Sequence, residues 1–216
     1  MNQNMSRSAA PRPWCRASAA GPLVLPSAVL GKEGQLPPSE RITIGVFGVG
    51  NRGRHSLSAM RPLPDHQVVA IADVRRDRGE SACQMTEQFY AGRLGKASYG
   101  GCKLYNDFRD ILARDDIDAV WGTIPDHWHG CVYSRSIEAG KDIYGEKPVT
   151  RWIAQGVKLK KMVGRYGTIF QVGLQQRSDP KFRLACNLAR NGYLGKISEV
   201  QVGVPGGTVI PAVPPC

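Results

Sequence analysis

The feature that most constrains the fold is a glycine motif placed between a strand pattern and a helix pattern. Residues 42–47 are apolar and rich in β-branched side chains, and residues 48–53, with the sequence GVGNRG, follow them directly. A G-x-G-x-x-G motif in that place allows a tight turn, a close approach of the backbone to a pyrophosphate, and close helix–strand packing. Such a triplet also occurs in ordinary turns, so dinucleotide binding requires a second signal.

Asp73 supplies that second signal. Residues 67–73 have the pattern of a buried strand, and Asp73 lies 20 residues after Gly53. At this separation a carboxylate reaches the ribose hydroxyls of adenosine, so the two features together predict dinucleotide binding. The same carboxylate disfavours the 2′-phosphate of NADP, whereas Arg75 and Arg76 could pair with it. The sequence therefore favours NAD as the cofactor and leaves NADP possible.

Strand and helix patterns alternate along most of the chain after residue 41. Strands are predicted at residues 42–47, 67–73, 119–124, 142–145 and 168–173, and helices from about 52 and at 75–90, 127–139, 152–166 and 180–190. This alternation predicts an α/β fold, a Rossmann-type doubly wound sheet of mostly parallel strands. Val200, Val202 and Val204 alternate with polar residues or glycine, which predicts a further strand with one buried face.

The same patterns divide the chain into three parts. Residues 41–174 are predicted to form an NAD(P)-binding Rossmann domain, and residues 175–216 the first helix and strand of an α+β second domain. Residues 1–40 differ in composition, because arginines precede an Ala-rich apolar stretch and no acidic residue occurs before Glu33. That segment is typical either of a disordered N-terminus or of an export leader. Localisation therefore stays open between the cytoplasm and the periplasm.

Charge and hydropathy limit the kinds of partner molecule that the chain is expected to bind. The 216 residues include 29 Lys+Arg and 18 Asp+Glu, a formal net charge of +11 that can attract nucleic acid, anionic lipid or an anionic cofactor. The basic residues are spread along the chain without a nucleic-acid motif, so we interpret them as solvated surface and expect no nucleic-acid partner. No uninterrupted apolar run reaches the roughly 18 residues of a spanning helix, so no membrane partner is expected.

Metal and disulfide chemistry are not predicted. The six cysteines, at positions 15, 83, 102, 131, 186 and 216, include no C-x-x-C pair and no histidine at metal spacing. We therefore interpret them as reduced thiols and expect neither a zinc site nor a redox dithiol. His127 and His129 could form a metal pair, but positions i and i+2 of a helix face away from each other.

Two polar segments follow predicted strands. Residues 125–129, PDHWH, come after the strand at 119–124, and residues 146–148, EKP, come after the strand at 142–145. The carboxyl edge of an open parallel sheet is where ligands bind, so both segments are candidate site residues. Two ordinary interpretations stay open: Asp126 could be a helix N-cap, and Glu146 with Lys147 could be a surface ion pair.

Taken together, these motifs resemble the Gfo/Idh/MocA oxidoreductases, a family named for glucose–fructose oxidoreductase and inositol dehydrogenase. The resemblance runs from about residue 41 to residue 207. It is carried by residues 48–53, Asp73, PDHWH, residues 139–142 leading into EKP, and the later segments at 171–177 and 191–196. The PDHWH spelling resembles a branch common in planctomycetes and related bacteria, whose members often begin with a twin-arginine leader.

The resemblance implies an NAD(P)-dependent oxidoreductase that transfers hydride between the nicotinamide and a sugar, polyol or derivative. It implies that Lys147 lies beside the nicotinamide as the catalytic base, that a largely antiparallel second domain covers the site, and that full-length relatives are homo-oligomers. The candidate cofactor-binding residues are Gly48, Val49, Gly50, Asn51, Arg52, Gly53, Asp73, Ile124, Pro125, His129, Glu146 and Lys147.

Three departures from the family pattern qualify that expectation. Ile124 stands where the family usually has threonine, with Thr123 one place earlier, and the N-terminal segment lacks paired arginines. Family members also continue beyond the position of Cys216 with most of the second domain, including an Asp/His pair that completes the catalytic group. The expectation from the sequence is a C-terminally truncated chain. The alternative function is therefore a catalytically incomplete NAD-binding remnant, or an assembly partner of a full-length relative, so enzymatic activity itself stays open.

Overall fold

The structure, a computed structural model, describes Pro37 and residues 40–203 and shows a six-stranded sheet with the strand order β3-β2-β1-β4-β5-β6. The strands are β1 (Ile42–Phe47), β2 (His66–Ala72), β3 (Lys103–Tyr105), β4 (Ala119–Gly122), β5 (Asp142–Glu146) and β6 (Phe170–Gly173). The pairings of β1 with β2 and β4, of β2 with β3, and of β5 with β6 are all parallel. This order is that of a doubly wound dinucleotide-binding sheet, so the predicted fold class is confirmed.

Helices connect these strands along the chain. They are α1 (Asn51–Met60), α2 (Arg76–Leu94), α3 (Phe108–Leu112), α4 (Asp126–Glu138), α5 (Ile153–Tyr166), α6 (Gln175–Ser178) and α7 (Pro180–Arg190). The predicted helices are present within a few residues of their expected bounds, whereas α3, α6 and β3 are additional. None of the helices in the described part of the chain is long and apolar enough to cross a membrane.

The chain divides after Thr123 into two compact units, each with buried apolar side chains. In the first unit β1 and β2 are almost continuously apolar because both faces of these strands are covered, as expected for central parallel strands. In the second unit the buried side chains come from α4, β5 and α5, and they include Tyr133, Ile137, Ile143 and Leu159. The predicted domain boundary after residue 174 stays a prediction.

The register of β1 places the candidate residues of the first unit side by side. Phe47, the last residue of β1, is paired with Ala72 on one side and with Gly122 on the other. The residues that follow these three at the carboxyl ends of their strands are Gly48, Asp73 and Thr123. Parallel pairing therefore brings together a glycine, a carboxylate and a hydroxyl that lie up to 75 residues apart in sequence.

Two sequence predictions require correction. Residues 197–203 form no strand in the structure, and Val200 and Val202 are 75% and 81% exposed, while Val204 lies outside the described residues. Alternating valines determine only which side chains share a face. A strand also needs a neighbour for its backbone hydrogen bonds, and within residues 40–203 no strand pairs with residues 197–203. In addition, the N-cap of α4 is Pro125, and Asp126 is its first helical residue. The leader predicted over residues 1–40 lies outside the described residues apart from Pro37 and Glu40.

Candidate functional site

The turn that follows β1 requires glycine at two positions. Gly48 has a φ of 78°, in the left-handed region that side chains disfavour. A Cβ atom on Gly53 would lie 2.2 Å from the Gly48 carbonyl oxygen and 2.7 Å from the Thr123 hydroxyl oxygen. The turn and helix α1 are therefore packed too closely for any side chain at residue 53.

Gly50 has a different environment. A Cβ atom there would meet only the Nη1 atom of Arg78, at 3.4 Å, so the space beside this residue is otherwise open. Gly50 is also the N-cap of α1, and no side chain caps the first N–H groups of the helix. Uncapped N–H groups at a helix N-terminus carry partial positive charge and bind phosphate oxygens.

Asp73 is fastened to the glycine turn by its carboxylate. One carboxylate oxygen accepts a hydrogen bond from the Val49 N–H at 2.7 Å, and the other accepts one from the Arg75 N–H at 2.8 Å. The side chain is only 9% exposed, so both bonds lie in a poorly solvated place. Each carboxylate oxygen has a second acceptor site, which leaves Asp73 able to receive hydroxyl donors from a ligand.

Thr123 supports the same turn from the end of β4. Its hydroxyl donates to the Gly48 carbonyl oxygen and lies 3.2 Å from that of Phe47, which also accepts the Thr123 N–H at 2.8 Å. Sequence analysis noted Thr123 only as a displaced family threonine. In the structure its hydroxyl fixes the glycine turn itself.

The arginines near Asp73 have separate roles. Arg75 pairs with Asp77 at 2.7 Å, and Arg76 pairs with Glu80 at 2.8 Å. The hydrogen bond from Arg75 lowers the pKa of Asp77, which keeps this pair charged. Arg78 has no ion pair within residues 40–203, and it is the cation beside Gly50. Sequence analysis considered the two paired arginines and missed the third.

In the second unit, the PDHWH segment exposes its first four residues and buries its last. His129 is fully buried; its Nε2 atom lies 2.9 Å from the Ile124 carbonyl oxygen, and its Nδ1 atom contacts the Pro148 carbonyl oxygen. Both ring nitrogens thus contact backbone carbonyl oxygens, and neither is available to a metal. His129 can therefore influence a cofactor site only indirectly, by fixing the backbone positions of Ile124 and Pro148.

Lys147 lies at the corner of the chain that follows β5, and side chains of α4 pack against this part of the chain. A Cβ atom on Gly145 would lie 2.7 Å from the Cζ atom of Tyr133, so α4 packs directly on β5. The Tyr133 ring centroid lies 5.0 Å from that of His129, and burial raises the pKa of the tyrosine. Glu146 is buried, whereas Lys147 is exposed and forms no ion pair with any described residue. The surface ion-pair interpretation of these two residues is therefore wrong.

The predicted site residues divide between the two units. The first contains the glycine turn and Asp73, and the second contains Ile124, Pro125, His129, Glu146 and Lys147. Within residues 40–203 no group of three or more His, Cys, Asp or Glu side chains could hold a metal ion. The first group can bind anionic and hydroxyl groups, and the second presents one exposed amine.

Comparison with known proteins identifies the family to which this chain belongs. Residues 42–174 match the family model GFO_IDH_MocA, described as an oxidoreductase family with an NAD-binding Rossmann fold. The match covers more than half of the chain, so this protein belongs to that oxidoreductase family.

Two curated relatives are sugar or inositol enzymes by name. The scyllo-inositol 2-dehydrogenase (NAD(+)) of Bacillus subtilis is 27% identical over 72% of this chain and 42% of the relative. The dTDP-3,4-didehydro-2,6-dideoxy-alpha-D-glucose 3-reductase of Actinomadura kijaniata is 28% identical over 72% of this chain and 43% of the relative. The chain therefore spans about two fifths of the length of these relatives.

Solved structures show the same fold. The scyllo-inositol dehydrogenase of Lactobacillus casei, solved with NAD(H) and scyllo-inositol, superposes with a TM-score of 0.62 at 24% identity, covering 73% of this chain and 43% of that one. A mutant 3-ketoreductase from Actinomadura kijaniata, in complex with TDP-benzene and NADP, gives 0.58 at 26% identity over 73% and 46% of the two chains.

Proposed function

We propose that this protein binds a nicotinamide dinucleotide, preferentially NAD, and serves hydride transfer to or from a hydroxyl-bearing carbon of a sugar, inositol or related polyol. The observation that carries the proposal is the hydrogen bond between the Asp73 carboxylate and the Val49 N–H of the glycine turn. It places a hydroxyl acceptor directly at a turn that can bind phosphate.

Three features of the first unit support cofactor binding. The open space at Gly50 and the uncapped N-terminus of α1 suit a pyrophosphate, and Arg78 adds a full positive charge beside it. The remaining acceptor sites of Asp73 suit the ribose hydroxyls. A 2′-phosphate would face the negative charge of Asp73, and Arg75 and Arg76 are already paired with carboxylates, which favours NAD.

Lys147 is the residue that we assign to proton transfer. A bound nicotinamide accepts or donates hydride, and the hydroxyl proton of the substrate must then move to or from a base. The exposed amine of Lys147 is free of ion pairs with the described residues, so a substrate hydroxyl can reach it. The histidine–tyrosine support beneath the corner holds the backbone from which this side chain extends.

The named relatives support the substrate class. By name, one of these relatives is an inositol dehydrogenase and the other is a reductase that acts at position 3 of a dTDP-linked deoxysugar. Cofactor choice varies among solved relatives, since NAD(H) is bound in one and NADP in another. The preference for NAD in this protein therefore depends on Asp73 and not on the family.

The test separates binding from turnover. Calorimetric titration with NAD and NADP should show tighter binding of NAD, and Asp73→Ala should reduce that difference. Incubation with NAD and a panel of inositols and sugars should produce NADH absorbance that Lys147→Met lowers by a factor of roughly 10² to 10⁴ while NAD affinity is retained. Absence of NAD binding would refute the proposal. Binding of NAD without turnover on any polyol would support the alternative of a cofactor-binding protein.

A further inference from the structure

A pair of cysteines distant from the glycine turn in sequence lies in direct contact in the first unit. Cys83 is in the middle of α2, and Cys102 immediately precedes β3. Their sulfur atoms are 3.5 Å apart, and the Cys83 sulfur also lies 3.7 Å from the Cys102 carbonyl oxygen. Both thiols are half-buried and pack against the apolar core of this unit.

A neighbouring carboxylate holds the pair in this arrangement. Glu87, one turn after Cys83 on α2, accepts a hydrogen bond from the Gly100 N–H and another, at 2.5 Å, from the Cys102 N–H. The loop that carries Cys102 is therefore fastened to the helix that carries Cys83. The register of β3 against β2, with Leu104 opposite Ile71, fixes the loop from its other end.

The two thiols are not equivalent. The hydrogen bond between them lowers the pKa of Cys83, because it stabilises a thiolate on that sulfur. The same hydrogen bond, together with burial, raises the pKa of Cys102. Cys83 is thus the thiol that ionises first, and the thiolate is the nucleophilic form of cysteine.

We infer that Cys83 and Cys102 form an oxidation site, which a low-molecular-weight disulfide such as oxidised glutathione converts to an intramolecular disulfide. The contact between the sulfurs and the fastening of both backbone segments to each other carry this inference. A disulfide needs an S–S distance of about 2.05 Å, so the sulfurs must approach by roughly 1.5 Å. Side-chain rotation from the existing contact can supply that movement.

The reaction is two successive thiol–disulfide exchanges. The Cys83 thiolate attacks one sulfur of the small disulfide, which releases one thiolate and leaves a mixed disulfide on Cys83. Cys102 then loses its proton to solvent and attacks the Cys83 sulfur, which releases the second small thiolate. The pair loses two electrons and two protons, and the small disulfide becomes two thiols.

The experiment uses the chain with Cys15, Cys131, Cys186 and Cys216 replaced by serine, so that only this pair remains. The folded protein is equilibrated in buffers of reduced and oxidised glutathione and quenched with acid. Its intact mass is then measured by mass spectrometry. We expect the main oxidised species to lack two hydrogens and to carry no glutathione, and we expect dithiothreitol to reverse it. Peptide mapping of the unsubstituted chain after the same treatment should show the Cys83–Cys102 cross-link.

Single variants and unfolding test the contribution of the structure. Cys102→Ser should stop the reaction at a glutathione adduct on Cys83, and Cys83→Ser should abolish the internal disulfide. In urea the equilibrium constant for the internal disulfide should fall by a factor of roughly 100, because the fold that holds the two thiols together is lost. Persistent glutathione adducts on the two-cysteine protein, or equal constants in the folded and unfolded chain, would overturn the inference.

Discussion

The glycine corner after β1 and the lysine corner after β5 are stabilised in opposite ways. At the glycine corner, Asp73 and Thr123 bond to the backbone of the turn, and two of the three residues between β1 and α1 are glycines. At the lysine corner, His129 and Tyr133 lie beneath the chain, and one side chain, Lys147, is presented to solvent. A corner that binds with its backbone needs that backbone fixed in one shape. A corner that acts through one side chain needs only firm support from behind.

The largest effect should come from Gly53→Ala. The new Cβ atom would lie 2.2 Å from a backbone oxygen, which cannot move without opening the turn. We expect the first unit to lose about 3 kcal/mol of stability or more in urea denaturation, and NAD binding to disappear. The matched control is Gly50→Ala, whose Cβ would meet only a flexible guanidinium. It should keep the fold and still weaken NAD roughly tenfold. If both variants folded equally well, the close packing at residue 53 would be wrong.

His129→Ala is the corresponding test of the lysine corner. It removes a buried ring whose two nitrogens contact the Ile124 and Pro148 carbonyl oxygens, and it leaves a cavity, so we expect a loss of about 2 to 4 kcal/mol on chemical denaturation. NAD affinity should change much less than in Gly53→Ala, because His129 supports a different corner. His127→Ala removes an exposed ring two residues away and should leave stability within about 0.5 kcal/mol. Equal stability of the two histidine variants would contradict the proposed role of His129.

Asp73→Asn should have an intermediate effect. Asparagine has one oxygen in place of two, so either the Val49 or the Arg75 N–H loses its acceptor, at a cost of about 1 to 2 kcal/mol. The negative charge also disappears, so the ratio of NADP to NAD affinity should rise roughly tenfold in calorimetry. An unchanged ratio would show that another residue sets cofactor preference.

Thr123→Val should have the smallest effect. It removes the hydroxyl donor to Gly48 and keeps the side-chain shape, while the Phe47 oxygen retains the Thr123 N–H. We expect a loss of about 1 kcal/mol and a modest weakening of NAD, measured by thermal unfolding and titration. Thr123→Ser, which keeps the hydroxyl, should restore most of the NAD affinity. A serine variant no better than valine would indicate that packing matters more than the hydrogen bond.

The fold was largely predictable because its central strands are buried on both faces. Such strands appear in the sequence as continuous apolar runs, and glycines end helices at Gly140 and Gly167, where φ is positive. Residues 103–105 escaped prediction, since three residues carry no periodicity and their strand is fixed by pairing with β2. The strand predicted around Val200 and Val202 was wrong for the opposite reason, because the alternation is clear but no strand within residues 40–203 pairs with it.

The site was predictable only where a residue acts through its place in the chain. Gly48, Gly53 and Asp73 are of this kind, because turn geometry and strand order fix them. The roles of Arg78 and His129 depend on where their side chains point, which needs the packed structure. Cys83 and Cys102 are likewise 19 residues apart in sequence, and no short cysteine motif predicts their contact.

The hydrogen bond between the Asp73 carboxylate and the Val49 N–H combines two proposed roles in one side chain. The carboxylate that we propose as the discriminator between cofactors is also hydrogen-bonded into the glycine turn that we propose as their binding site. A lineage that exchanged this residue to accept a 2′-phosphate would at once lose an acceptor that shapes its phosphate-binding loop. Reversal of preference would therefore have to follow, or accompany, a second substitution that gives the Val49 N–H a new acceptor, so the order of mutational steps is constrained by the fold.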